Sequence, residues 1–317
     1  MLQPPPLKSL PRYPVTASIG GAALVVTALW WTGCEIDALF MTADVSLRWE
    51  LWRALTSTLP HVNFFHLAFN LYWFWALGTI LERAYGHFRY LGIILFLAVG
   101  SSLAEFTVLQ GGVGLSGVGY GLWAMLWVLE RRDPRFAGVL DPQTSRIFVI
   151  WFFLCIGLTL TNVMPVGNIA HGMGAALGAL FGIACTSSGA IKLRSIIAAA
   201  LVIFLGLAGS TVLWPRLNIS QDAQSEVERA GVEALGRSDN GRAIRLLKLS
   251  AHMKRAPARA WFNLGIAYHR LGNYEAALAA YQHAAGMPDA TPDMQQAAQE
   301  VKDYQRAKQA FEDSRRR

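Results

Sequence analysis

Gly114-Leu115-Ser116-Gly117-Val118-Gly119-Tyr120-Gly121 opens one apolar segment, and Asn168-Ile169-Ala170-His171-Gly172-Met173-Gly174 opens another. Both stretches have the composition of membrane helices, where polar and ionisable groups are costly and mark functional sites. Here the embedded pair is a hydroxyl and an imidazole, a nucleophile and a base. The two stretches together predict an all-α polytopic membrane protein with reactive groups below the lipid headgroups.

Outward from this pair, the chain of 317 residues falls into two unlike parts. Residues 1–215 carry 12 Lys/Arg and 9 Asp/Glu, and residues 216–317 carry the remaining 16 and 12. A span needs about 20 mostly apolar residues. Candidates are 15–31, 64–81, 90–109, 116–129, 147–164, 168–185 and 196–214, seven in all. Domains are expected at 1–190 (a six-helix membrane core), 191–215 (a seventh membrane helix) and 216–317 (a soluble helical tail). Met1 to Pro14 holds Lys8 and Arg12 but no small-residue cleavage site follows the apolar run, so a retained first helix is expected.

Loop charges orient these spans. Lys8 and Arg12 precede the first, Arg83 and Arg89 follow the second, Arg131, Arg132, Arg135 and Arg146 follow the fourth, and Lys192 and Arg194 follow the sixth. The alternate loops are acidic (Glu35, Asp37, Asp44, Glu50) or uncharged. The positive-inside rule predicts a cytoplasmic N-terminus and a tail outside an inner membrane. It also explains the net charge of +7 better than nucleic-acid binding does. With this parity the second, fourth and sixth spans all begin at the outer face, carrying His66 and Asn70, Ser116, and His171.

The fourth span is short. Its expected helix of about 14 residues would cover about 21 Å of a hydrocarbon core about 30 Å thick. Gly111–Gly114 must then enter the membrane as irregular backbone, tolerated only against protein or a water-filled cavity. Ser116 begins a helix, where unpaired N–H groups and the dipole favour negative charge. Taken alone, its competing reading is a packing serine among small residues.

His171 has no acidic neighbour in sequence, so a dyad is expected in which another group orients the imidazole. Tyr120, four residues after Ser116 and on the same face, is the candidate; its competing reading is aromatic filler. Glu105, the acid embedded in the third span, is expected to reach for the interface. Gly174, Gly178 and Gly182 form a small-residue ridge that Gly117 and Gly121 can meet. His66 and Asn70 share one helix face, and both can donate to a developing oxyanion beside Gly114. His61 reads as interfacial or structural. No metal or other cofactor is expected, because the paired His-x-x-x-His with carboxylate of a zinc protease is lacking. Cys34, Cys155 and Cys185 read as small buried hydrophobes, without disulfides.

As a set, Trp52-Arg53, His61, His66, Asn70, Gly78, Glu82, Gly86, Gly114-Leu115-Ser116-Gly117, Tyr120, Ala170-His171, Gly174 and Gly178 resemble the rhomboid family of intramembrane serine proteases. The resemblance covers about residues 51–183. It implies Ser116 as nucleophile and His171 as general base. It further implies an oxyanion hole from His66, Asn70 and the Ser116 N–H, with Tyr120 stacked on the histidine. The implied substrates are transmembrane proteins cut near the outer face, with Trp52-Arg53 in a membrane-embedded first loop. Gly172 departs from the bulkier apolar residue of many relatives, which would loosen that turn. The seventh span and the tail lie outside the common six-helix core.

Within the tail, Trp261, Leu264, Gly265, Tyr268, Ala277, Tyr281 and Ala284 fall at tetratricopeptide-repeat spacings. Gly231, Ala243 and Leu247 echo them one period earlier, and 293–313 reads as a capping helix. Such repeats bind proteins or peptides, and the competing reading is a spacer. A different class of function is a non-catalytic scaffold that binds membrane proteins and recruits partners through the tail. A transporter is disfavoured, since charge relays and duplicated broken helices are lacking.

Overall fold

The computed structural model describes residues 4–42, 45, 48–254 and 256–316; Asp44, used above for orientation, lies outside them. Two compact units emerge, Met1–Trp214 and Pro215–Arg317. The first contains α1 (Pro14–Trp31), α2 (Phe64–Tyr85), α3 (His87–Val108), α4 (Ser116–Arg132), α5 (Pro142–Leu160), α6 (Asn168–Thr186) and α7 (Gly189–Ser210). Six of these helices are long and apolar enough to cross a membrane. The seventh, α4, has 17 residues, three more than expected but still the shortest. The protein is a multi-pass, all-helical membrane protein with a helical tail.

Helix ends are set by local chemistry that hydropathy does not report. The Asp141 side chain accepts the Thr144 N–H at 2.9 Å with Pro142 in the first turn, so α5 starts five residues before its apolar stretch. Similarly, α7 begins seven residues early and carries exposed Lys192 and Arg194 on its first turns. Their long stems let them extend beyond the hydrocarbon. Gly86 ends α2 at φ 77°, a left-handed conformation that favours glycine. Cys155 is buried as expected, but Cys34 and Cys185 are exposed because they lie at or just beyond helix ends.

At the centre, α4 is enclosed by α2, α3 and α6, and buries Leu122, Met125, Leu126 and Leu129 against Leu77, Leu97 and Leu177. A Cβ placed on Gly174 would strike the Gly117 carbonyl, and one on Gly178 the Gly121 carbonyl. The backbones of α4 and α6 therefore touch, as the small-residue ridge predicted. On the other side of α3, α7 packs through Gly206 against Leu103 and Gly209 against Thr107. Trp214 stacks on Phe106 and donates to its carbonyl at 2.9 Å. Glu82, 1% exposed, accepts the Val15 and Thr16 N–H groups at 2.9 Å each and the Thr16 hydroxyl at 2.6 Å, tying the start of α1 to the end of α2.

The second unit consists of α8 (Gln221–Gly236), α9 (Asn240–Ala251), α10 (Ala258–Arg270), α11 (Tyr274–Ala285) and α12 (Pro292–Arg316). α8 with α9 and α10 with α11 form two helix pairs. In the first, Gly231 admits Leu247; in the second, Gly265 admits the Tyr281 ring. Glu228, buried on α8, accepts from Arg259 Nε at 2.6 Å and Asn263 Nδ2 at 2.8 Å, joining the first helices of the two pairs. α12 covers the far side of the second pair through Met294, Ala298 and Val301.

Candidate active site

Ser116 is the first residue of α4 and His171 lies in the first turn of α6. Because glycines let these two helices meet backbone to backbone, their side chains reach each other at their N-terminal ends. Ser116 Oγ and His171 Nε2 are 2.7 Å apart. The serine is half-buried and the imidazole is 3% exposed. With the hydroxyl donating to Nε2, the ring proton belongs on Nδ1, a tautomer assigned from the partner. Nδ1 is buried with no hydrogen-bond partner among the described residues.

The Tyr120 ring lies against the His171 ring, with centroids 4.7 Å apart at an angle of 30°. Its hydroxyl donates to the Phe148 carbonyl at 3.1 Å, which fixes the ring from α5. A tyrosine held this way restricts the imidazole by stacking, without any hydrogen bond to it.

The loop before Ser116 has no regular secondary structure, and its glycines pack on protein. Gly111 abuts Met41, Gly112 abuts Glu105, and the Gly114 N–H donates to the Ser57 carbonyl at 3.2 Å. At Gly114, φ is +102° and an added Cβ would come within 2.8 Å of the His66 ring, so both conformation and space require glycine. His61 is fully buried, which makes it structural; the interfacial alternative is set aside. Its Nδ1 faces the Leu59 carbonyl at 2.9 Å, and its Nε2 accepts the Leu115 N–H at 3.3 Å. Burial, then repulsion from His66, lowers its pKa to about 3, so it stays neutral in this role.

His66 stands beside His61 with ring centroids 4.8 Å apart, and its ring closes on Gly114. Asn70, one turn further along α2, donates through Nδ2 to the His66 carbonyl at 2.8 Å. One amide N–H of Asn70 is thus engaged by its own helix, leaving the second for other acceptors. Arg53 is buried and ties the first loop together, bonding Glu50 at 2.6 Å and the Asp37 and Phe40 carbonyls at 3.0 and 3.1 Å. Trp52 beside it remains exposed.

Glu105 corrects the sequence expectation. It does not reach the interface: it is 3% exposed, and its Oε2 accepts the Ala170 N–H at 2.8 Å. A buried carboxylate in apolar surroundings needs such donors, and the open first turn of α6 supplies them. Thr159 was not foreseen either. Its hydroxyl accepts from Asn168 Nδ2 at 2.8 Å and from the Val166 N–H at 3.3 Å, latching the loop before α6 to α5. The sequence held a signal for Glu105, an acid inside a span, but none for its partner 65 residues away. Gly172 has ordinary room, its nearest neighbour being Phe152 at 3.7 Å.

Two family models match the chain. The Rhomboid domain covers residues 48–188, and the Tetratricopeptide repeat covers residues 258–285.

Proposed function

We propose, from the Rhomboid domain matched over residues 48–188, that the protein is an intramembrane serine endopeptidase. The observation carrying the reading is the 2.7 Å approach of Ser116 Oγ to His171 Nε2. In the proposed reaction His171 takes the Ser116 proton while Ser116 attacks the scissile carbonyl of a transmembrane substrate. His66, the second Asn70 N–H and the Ser116 N–H hold the oxyanion. His171 then protonates the leaving amine, and a water activated by the same imidazole releases the acyl group from Ser116. The half-buried serine at the start of α4 supports access of water to this end of the helix.

The loop charges support a cytoplasmic N-terminus in the inner membrane. Cleavage would then fall near the outer membrane face, and the tail would stand outside. Residues 1–190 would form the protease, 191–215 an added membrane helix, and 216–317 a module that holds a protein or peptide. The test is cleavage of a model single-span substrate in proteoliposomes. Wild type should cut it and Ser116→Ala should not; undiminished cleavage by that variant refutes the assignment. An intact wild-type protein that binds such substrates without cutting them would favour the scaffold reading instead.

A further inference from the structure

The N-terminus of α6 lacks a cap of its own. The residue preceding it is Gly167, which provides no side-chain acceptor for the first turn. Glu105 supplies one from α3, its carboxylate bonded to the Ala170 N–H, directly before His171. Two loops close on it to contact distance. A Cβ on Gly112, in the loop leading to Ser116, would lie 3.6 Å from Glu105 Cγ, and one on Gly167 would lie 3.5 Å from the carboxylate. Glu105 therefore sits where the loops that open the serine helix and the histidine helix converge.

The glycine seam and the cap constrain different motions. Glycines bring α4 and α6 close but present no side chains that interlock against rotation or sliding. One residue of slip along α6 is about 1.5 Å, enough to separate groups now 2.7 Å apart. The bond at Ala170 opposes that slip at the end of the helix where the imidazole stands. The carboxyl oxygen thereby takes an N–H of that first turn which the helix itself leaves unpaired.

We propose that Glu105 is a positioning residue: by capping α6 it sets the height and rotation of the His171 ring relative to Ser116. This rests on the reading of Ser116 and His171 as nucleophile and base. The test is a series at one position, reconstituted in proteoliposomes. Glu105→Gln keeps an acceptor at the same reach, Glu105→Asp keeps the charge but draws it back by one methylene, and Glu105→Leu removes the acceptor.

The expected result is kcat within about threefold of wild type for Gln, and a loss on the order of 100-fold for Asp and Leu with KM unchanged. The imidazole signals of His171 in histidine-labelled protein should move in Asp and Leu and stay in place in Gln. If Asp and Leu keep wild-type kcat while only melting earlier, the cap is structural and the proposal is overturned. A Gln variant as impaired as Leu overturns it also, because charge rather than acceptor reach would then matter. Should Leu fail to fold, Asp against Gln decides. If wild type itself cuts nothing, the endopeptidase reading fails, and the imidazole spectrum still decides whether Glu105 governs His171.

Discussion

Two seams meet at α4 and are built in opposite ways. Toward α6 the contact is backbone on backbone, with Gly117 and Gly121 beneath Gly174 and Gly178. Toward α5 it is ring on ring: Phe148 stacks on Trp123 at 5.3 Å and stands edge-on to Tyr120 at the same distance. Trp151 of α5 stacks on Phe69 of α2 at 4.9 Å. Within lipid, packing rather than the hydrophobic effect holds helices together, so close glycine contact is the stiffer device. Aromatic contacts fill space and tolerate repacking. Ser116 and His171 lie across the stiff seam; the soft one carries only Tyr120, whose ring buttresses the imidazole.

Breaking the stiff seam should have the largest effect. Gly178→Val drives a branched side chain into the Gly121 carbonyl, and overpacking of about 3 kcal/mol is expected. Thermal unfolding in micelles should show a large drop in midpoint together with lost cleavage; an unchanged midpoint would contradict the geometry. Trp151→Ala removes the neighbouring aromatic stack of α5 on Phe69 of α2 at a cost of about 1 kcal/mol. This variant should stay folded and keep cleaving, and loss of all activity would show that α5 is as critical as α6. A smaller change is expected for Tyr120→Phe, which deletes the bond to the Phe148 carbonyl but keeps the ring on His171. Interhelical hydrogen bonds in membranes average about 0.6 kcal/mol, so kcat within a few-fold of wild type would locate the role in the ring.

Gly172→Ala sharpens the comparison most finely. It lies two residues from Gly174 on the same helix, yet has ordinary van der Waals room. Stability should change by no more than about 0.5 kcal/mol, measured beside Gly174→Ala, which should fall well below it. Equal losses at both positions would mean that helix propensity, not the seam, governs these glycines.

Much of this arrangement was legible in sequence because its causes are local. Apolar runs located the spans, and glycines at every fourth residue located the stiff seam. The placement of Ser116, His171 and Tyr120 within those runs located the end where hydroxyl, imidazole and ring come together. Helix limits were less legible, since hydropathy marks where lipid is and not where hydrogen bonding stops. Asp141 extends α5 with a cap, and α7 includes the charged turn of Lys192 and Arg194. Least legible were the long-range polar partners. An embedded acid in sequence points outward to the interface or inward to a donor with equal force, and only the fold shows that Glu105 ends at Ala170. The same holds for His61, which meets the loop leading into Ser116 more than 50 residues later.

The most direct measurement is covalent labelling by a fluorophosphonate, with the modified residue located by mass spectrometry. Wild-type protein should carry the adduct on Ser116, and Ser116→Ala and His171→Ala should carry none. Labelling that persists in His171→Ala at the wild-type rate, or an adduct found on another residue, would contradict the account.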